Sequence, residues 1–132
     1  MNTLPGKIKD VSVSGSLSLA HIDVAGNLFS AIVIDTPATS SYLSPGKTVS
    51  VIFKETEVII GTGKEHAVSL QNRLQGKIIE IESGDLLAKI VLDTAAGKVV
   101  SVITSQAVKK LGLKEGLEVT ALIKTNEIML TA

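Results

Sequence analysis

The chain has 132 residues, of which 45% are hydrophobic and only 2% aromatic, with no Cys and no Trp. Thirteen Lys and Arg balance thirteen Asp and Glu. Disulfides and thiolate metal sites are therefore excluded, and the basic face and aromatic platforms on which nucleic-acid binders rely are missing.

The apolar set is mainly Val, Ile, Leu and Ala, which favours pleated strands over a helical core. The opening MNTLPGKIKD lacks an apolar stretch of the signal-peptide kind. No apolar run approaches the roughly 18 residues that span a membrane. A soluble, cytoplasmic protein is expected.

An internal repeat organises everything else. Leu4-Pro5-Gly6-Lys7-Ile8 returns 70 positions later as Leu74-Gln75-Gly76-Lys77-Ile78. At the same offset, Gly46 matches Gly116, Val49 matches Val119 and Lys54 matches Lys124. Glu57-Val58-Ile59-Ile60 likewise matches Glu127-Ile128-Met129-Leu130. Ser14-Gly15 and Gly26 pair with Ser83-Gly84 and Gly97 after small shifts of register. The expected organisation is a first module over 1–61, a linker over 62–68 and a second module over 69–132. The linker expectation rests on the polar, Gly-rich run Gly61 to His66.

Each unit parses alike. In the first, Asp35-Thr36-Pro37-Ala38-Thr39-Ser40-Ser41 is a poor helix and reads as a loop or a single turn. In the second, Lys77–Glu82, Leu86–Leu92 and Lys98–Thr104 are expected strands, separated by turns at Ser83-Gly84-Asp85 and Ala95-Ala96-Gly97. Ser105–Leu111 has helical spacing with Gly112 as its stop. Glu118–Lys124 alternates as a strand, and Glu127–Leu130 is a short last one. Five short strands in about 62 residues suggest a small OB-like barrel. The fold class is thus all-β, two tandem OB-like modules with a short helix in at least the second. So much aliphatic surface in units this small points to burial between chains.

Ser69-Leu70-Gln71-Asn72-Arg73-Leu74-Gln75-Gly76 resembles the opening of the Mop, or TOBE, module, whose usual pattern is Ser-Ala-Arg-Asn-Gln-Leu-x-Gly. Val108 to Gly116 resembles that module's helix and turn, and Ala121 to Leu130 its closing strand pair. Two such modules with no other domain resemble the molbindins, small cytoplasmic molybdate-storage proteins. The resemblance implies trimers of two-module chains, with molybdate or tungstate held at module interfaces. It implies Ser69, Asn72, Lys124 and Thr125 as oxyanion ligands. Gln71, which stands where the family has Arg, and Arg73, the only arginine, two positions on where a strand points it to the same side, are further candidate ligands. Asn2 and Lys54, the first-unit counterparts of Asn72 and Lys124, are candidate ligands of a second site, where Glu55 replaces the hydroxyl residue after the lysine.

These residue types suit the ligand. Molybdate carries two negative charges on oxygens that only accept hydrogen bonds. Ser and Thr hydroxyls, Asn and Gln amides, Lys and backbone N–H groups all donate, and the ammonium bond is the strongest of them. Each residue also has an ordinary structural use. Ser69 and Asn72 suit a turn into a strand, Lys124 suits a solvated strand end, and Gly6 and Gly76 permit close approach. His21 and His66 lack ligand partners at metal spacing and read as surface residues. No nucleophile accompanies Asp93 and Glu127, so catalysis is not expected. Binding and storage of the oxyanion is the leading reading. The alternatives are a molybdate-sensing regulatory module, a generic OB-type binder of nucleic acid or sugar, and a structural oligomer with decayed sites. No helix-turn-helix segment supports direct contact with DNA.

Overall fold

A computed structural model describes residues 1–63 and 65–132. Lys64, inside the expected linker, lies outside the described residues. The first unit forms strands β1 (Asn2–Ser14), β2 (Leu17–Val24), β3 (Asn27–Val33), β4 (Thr48–Phe53) and β5 (Ile59–Thr62). The second forms β6 (Asn72–Ser83), β7 (Leu87–Thr94), β8 (Gly97–Thr104), β9 (Glu118–Ile123) and β10 (Met129–Thr131), with helix α1 (Ser105–Leu111) between β8 and β9. The expected all-β pair of OB-like modules is present as two curled five-stranded half-barrels, with one α-helix in the second unit.

The first strand of each unit is longer than its apolar alternation suggested. β6 starts at Asn72 rather than Lys77, because its early residues pair with β9 while its later ones pair with β7. β1 divides between β4 and β2 in the same way. A bulge between Ile8 and Asp10, repeated between Ile78 and Glu80, separates the two pairings. An extra residue bends a strand and increases its twist, which lets one strand serve both halves of a curl. Gly6 and Gly76 sit just before these bulges. A Cβ at Gly6 would come within 2.6 Å of Ile22 Cγ2, and one at Gly76 within 2.9 Å of Thr94 Cγ2.

Helix α1 is closed at both ends. Thr104 Oγ1 accepts a 3.0 Å bond from Ala107 N–H, and Gly112 takes the left-handed conformation that ends the helix. In the first unit Pro37 and its hydroxyl-rich neighbours form only turns, closed by Thr39 and Ser40 N–H on Thr36 O. Leu43 from that loop plugs the first half-barrel. Glu127 belongs to a 3-10 turn (Thr125–Glu127), not to a strand, and Glu55–Glu57 forms its counterpart.

The closing strands are exchanged. The first sheet runs β10-β4-β1-β2-β3 and the second β5-β9-β6-β7-β8. Each sheet thus takes its fifth strand from the other unit: Leu130 pairs with Val51, and Ile60 with Ala121. Gly61 and Thr62 complete β5 instead of opening a linker. One continuous core results, with Phe29, Phe53, Leu4, Ile22, Leu74, Ile90 and Ile123 fully buried.

Candidate functional site

Where β6 and β9 meet, Asn72 pairs with Ile123, so Gln71 and Lys124 are the next residues outward on the two strands. Thr125 then begins the 3-10 turn, which packs against β3 of the first unit. Gln71, Asn72, Lys124 and Thr125 are thereby gathered at one end of the β6–β9 pair. Asn2 pairs with Phe53 in the first unit, which places Lys54 and Glu55 equivalently, and their turn packs on β8. Both clusters therefore lie on the boundary between the two half-barrels.

The asparagines make that boundary. Asn72 is fully buried; its Nδ2–H donates to Ser30 O at 3.0 Å while its Oδ1 accepts from Ser30 N–H at 2.7 Å. Asn2 does the same on β8, donating to Val100 O and accepting from Val100 N–H, both at 2.8 Å. A primary amide offers a donor and an acceptor side by side, so each side chain adds one rung of β-type pairing to a strand it does not join. Asn72 keeps one N–H beyond this pairing. Neither Ser30 nor Val100 was marked by the sequence reading, because both contribute backbone alone.

Lys124 is exposed and makes no ion pair among the described residues, as is true of Lys54. Ser69 and Gln71 are exposed and Thr125 half-buried. Arg73, on the opposite face of β6 from Asn72 by strand alternation, turns back along its own chain. Its Nε–H donates to Leu70 O at 2.7 Å and an Nη2–H to Val68 O at 3.0 Å. Ser69 lies between those two carbonyls in sequence.

The two clusters differ chemically. The second carries a hydroxyl after its lysine, the first the Glu55 carboxylate. The turn of the first cluster is also tied down, since Ser101 Oγ donates to Val58 O at 2.7 Å. The repeat counterpart of Ser101 is Ala31, which has no hydroxyl to offer. The histidines fall elsewhere. His21 Nδ1 contacts Asp10 Oδ1 at 2.6 Å. His66 is not a free surface residue as expected: its ring lies over Gly61, and its Nε2 is buried without a partner among the described residues. No three His, Asp or Glu among the described residues gather as a metal cluster. None of the described helices is long and apolar enough to cross a membrane.

The TOBE domain matches residues 69–130. Molybdenum-pterin-binding protein 1 of Clostridium pasteurianum is 40% identical over 67 residues, covering 50% of this chain and 98% of its own length. Molybdenum-pterin-binding protein MopB of Rhodobacter capsulatus is 32% identical over 107 residues, covering 80% of this chain and 40% of its own. The cytoplasmic molybdate-binding protein ModG, crystallised with molybdate bound, superposes with a TM-score of 0.91 at 27% identity, over 99% of this chain and 95% of that one.

Proposed function

Because this chain belongs to the Mop-type family of molybdate-binding proteins built from TOBE modules, we propose that it binds and stores molybdate or tungstate in the cytoplasm without transforming it. The observation that carries the reading is the convergence of Gln71, Asn72, Lys124 and Thr125 at the boundary of the half-barrels. Lys124 supplies the charge. The Thr125 hydroxyl, the Gln71 amide and Ser69 supply neutral donors, beside Asn72, whose amide is paired with Ser30. Four acceptor oxygens with nothing to donate match such a set. Asn2 and Lys54 form a weaker counterpart, since the Glu55 carboxylate repels an anion. The ligand is held as the oxyanion, with no protein group on the metal itself.

The exposure of Lys124, Ser69 and Gln71 in the single chain supports completion of the site by a neighbouring protomer of a homotrimer. The modules are taken as the sequence repeats 1–61 and 69–132, each closing its sheet with a strand from the other. Isothermal titration with molybdate, tungstate and sulfate tests the function. Saturable heat with the first two and at least tenfold weaker binding of sulfate is expected. Absence of binding, or equal binding of sulfate, would overturn it in favour of a structural oligomer.

A further inference from the structure

We propose that Arg73 is a positioning residue, which holds the segment carrying Ser69 in place and does not itself bind the oxyanion. The inference rests on the molybdate reading above and assigns a role within that site. The family pattern would make a cation beside Asn72 look like an anion ligand. In this chain the guanidinium is committed elsewhere, gripping the carbonyls of Val68 and Leu70 on either side of Ser69. The planar fork of a guanidinium presents adjacent donors in fixed geometry. It therefore fixes the backbone on both sides of Ser69 at once, which a single ammonium does not.

Further contacts fasten the preceding chain. Thr120 Oγ1 donates to Gly63 O at 3.1 Å. The His66 ring lies so close over Gly61 that a Cβ there would come within 2.7 Å of its Cε1. The chain is thus fastened to the second sheet at Gly63 and His66 and gripped on either side of Ser69. The repeat counterpart of Arg73 is Thr3, with no guanidinium, so the grip is confined to the cluster that keeps the hydroxyl after its lysine. Arg73 also lines a cleft with Asn27, Gln75, Ala95 and Thr120.

Three variants separate holding from binding: Arg73→Gln, Arg73→Lys and Ser69→Ala, with the Arg73→Gln/Ser69→Ala double. Backbone nuclear relaxation of the ligand-free protein reads the grip directly. Order at residues 68–71 should fall in Arg73→Gln, with β7 and β8 unchanged. In molybdate titrations each single change should weaken binding roughly three- to tenfold, the scale of one neutral hydrogen bond. Arg73→Lys should lose as much as Arg73→Gln, since it keeps the charge and loses the fork. The double variant should be no weaker than the weaker single. Full affinity in Arg73→Lys, or losses that multiply in the double variant, would make Arg73 a direct ligand and overturn the proposal. Unchanged backbone order at 68–71 would overturn it too. Failure of the unaltered protein to bind molybdate would instead strike the reading on which it rests, and the relaxation result would still report the grip.

Discussion

At the residue scale, the proposed site assigns Lys124 and Asn72 different work. An exposed ammonium contributes by charge, and a bond to a charged group is worth about 1.5–3 kcal/mol when shielded from water. Lys124 is exposed in the single chain, so Lys124→Ala should weaken molybdate binding by the lower end of that range, about tenfold. Lys54→Ala should do less, because Glu55 already opposes an anion there. Titration of both variants checks the order, and equal losses would contradict it. Asn72 acts on the fold instead. Asn72→Ala leaves the N–H and C=O of buried Ser30 unpaired, a loss on the order of 3 kcal/mol. Asn2→Ala should lose less, because Val100 is only partly shielded from water. Urea unfolding of the two variants reads the difference. Tyr42 reports alkaline behaviour: burial, with the Asp35 carboxylate adding to it, raises its phenol above the ordinary value of 10.0. The stability this neutral phenol contributes is complete below pH 10 and is lost as pH rises through the raised value. As the single tyrosine in a chain without tryptophan, it gives an uncluttered phenolate absorbance titration, whose midpoint should lie above 10. Tyr42→Phe should unfold at a higher pH than the parent. Asn72 and Lys124 were legible through the resemblance to the Mop module, and the repeat supplied their counterparts Asn2 and Lys54. The pairing of Asn72 with Ser30 was not, since a backbone partner leaves no mark in the sequence.

At the scale of elements, each half-barrel is completed by a strand from the other repeat. The strands themselves were legible through period-two alternation and glycine turns, and helix α1 was legible to its last residue because Thr104 and Gly112 close it. The exchange of β5 and β10 was not legible. A 70-residue offset says that two segments are equivalent, and not which sheet either joins. Both closing strands are also short, so alternation carries little information in them. The exchange has a measurable consequence. Limited proteolysis is expected first within 63–70, where Gly63, Glu65, Ala67, Val68 and Ser69 are exposed. The two fragments should nonetheless co-elute on gel filtration, because β5 remains hydrogen-bonded to β9 and β10 to β4. Separation of the fragments without denaturant would contradict the exchange. Cleavage inside Ile78–Ile103 before the connection is cut would contradict the two-module parse.

At the scale of the whole molecule, the single chain shows more surface than a finished protein needs. Its accessible area is 7287 Å², whereas a compact monomer of 13.8 kDa exposes roughly 6600 Å². The surplus is accompanied by apolar side chains at the hairpin ends of each half-barrel, far along β1 and β6 from the asparagine junction. Val13, Leu17 and Ile34 lie at the first end, and Leu86, Leu87 and Leu111 at the second. Ile34 and Leu86 are each 81% exposed, a poor state for large aliphatic groups in water. The two ends are equivalent in fold and unlike in sequence: one is fringed by a loop, the other by α1. Contacts between unlike patches are heterologous, and they close into a ring when the rotation between neighbours is a whole fraction of a turn. A cyclic trimer is the expected assembly, and it would cover Lys124, Ser69 and Gln71, which stand open in one chain. Static light scattering should give three times the chain mass, independent of concentration over the micromolar range. Ile34→Glu and Leu86→Glu should each shift the protein toward monomer and weaken molybdate binding together with it, while Lys124→Ala weakens binding and leaves the mass at three chains. A parent protein that scatters as a monomer would remove the trimer and the shared sites together. A monomeric Ile34→Glu variant that binds molybdate with full affinity would place the whole site within one chain.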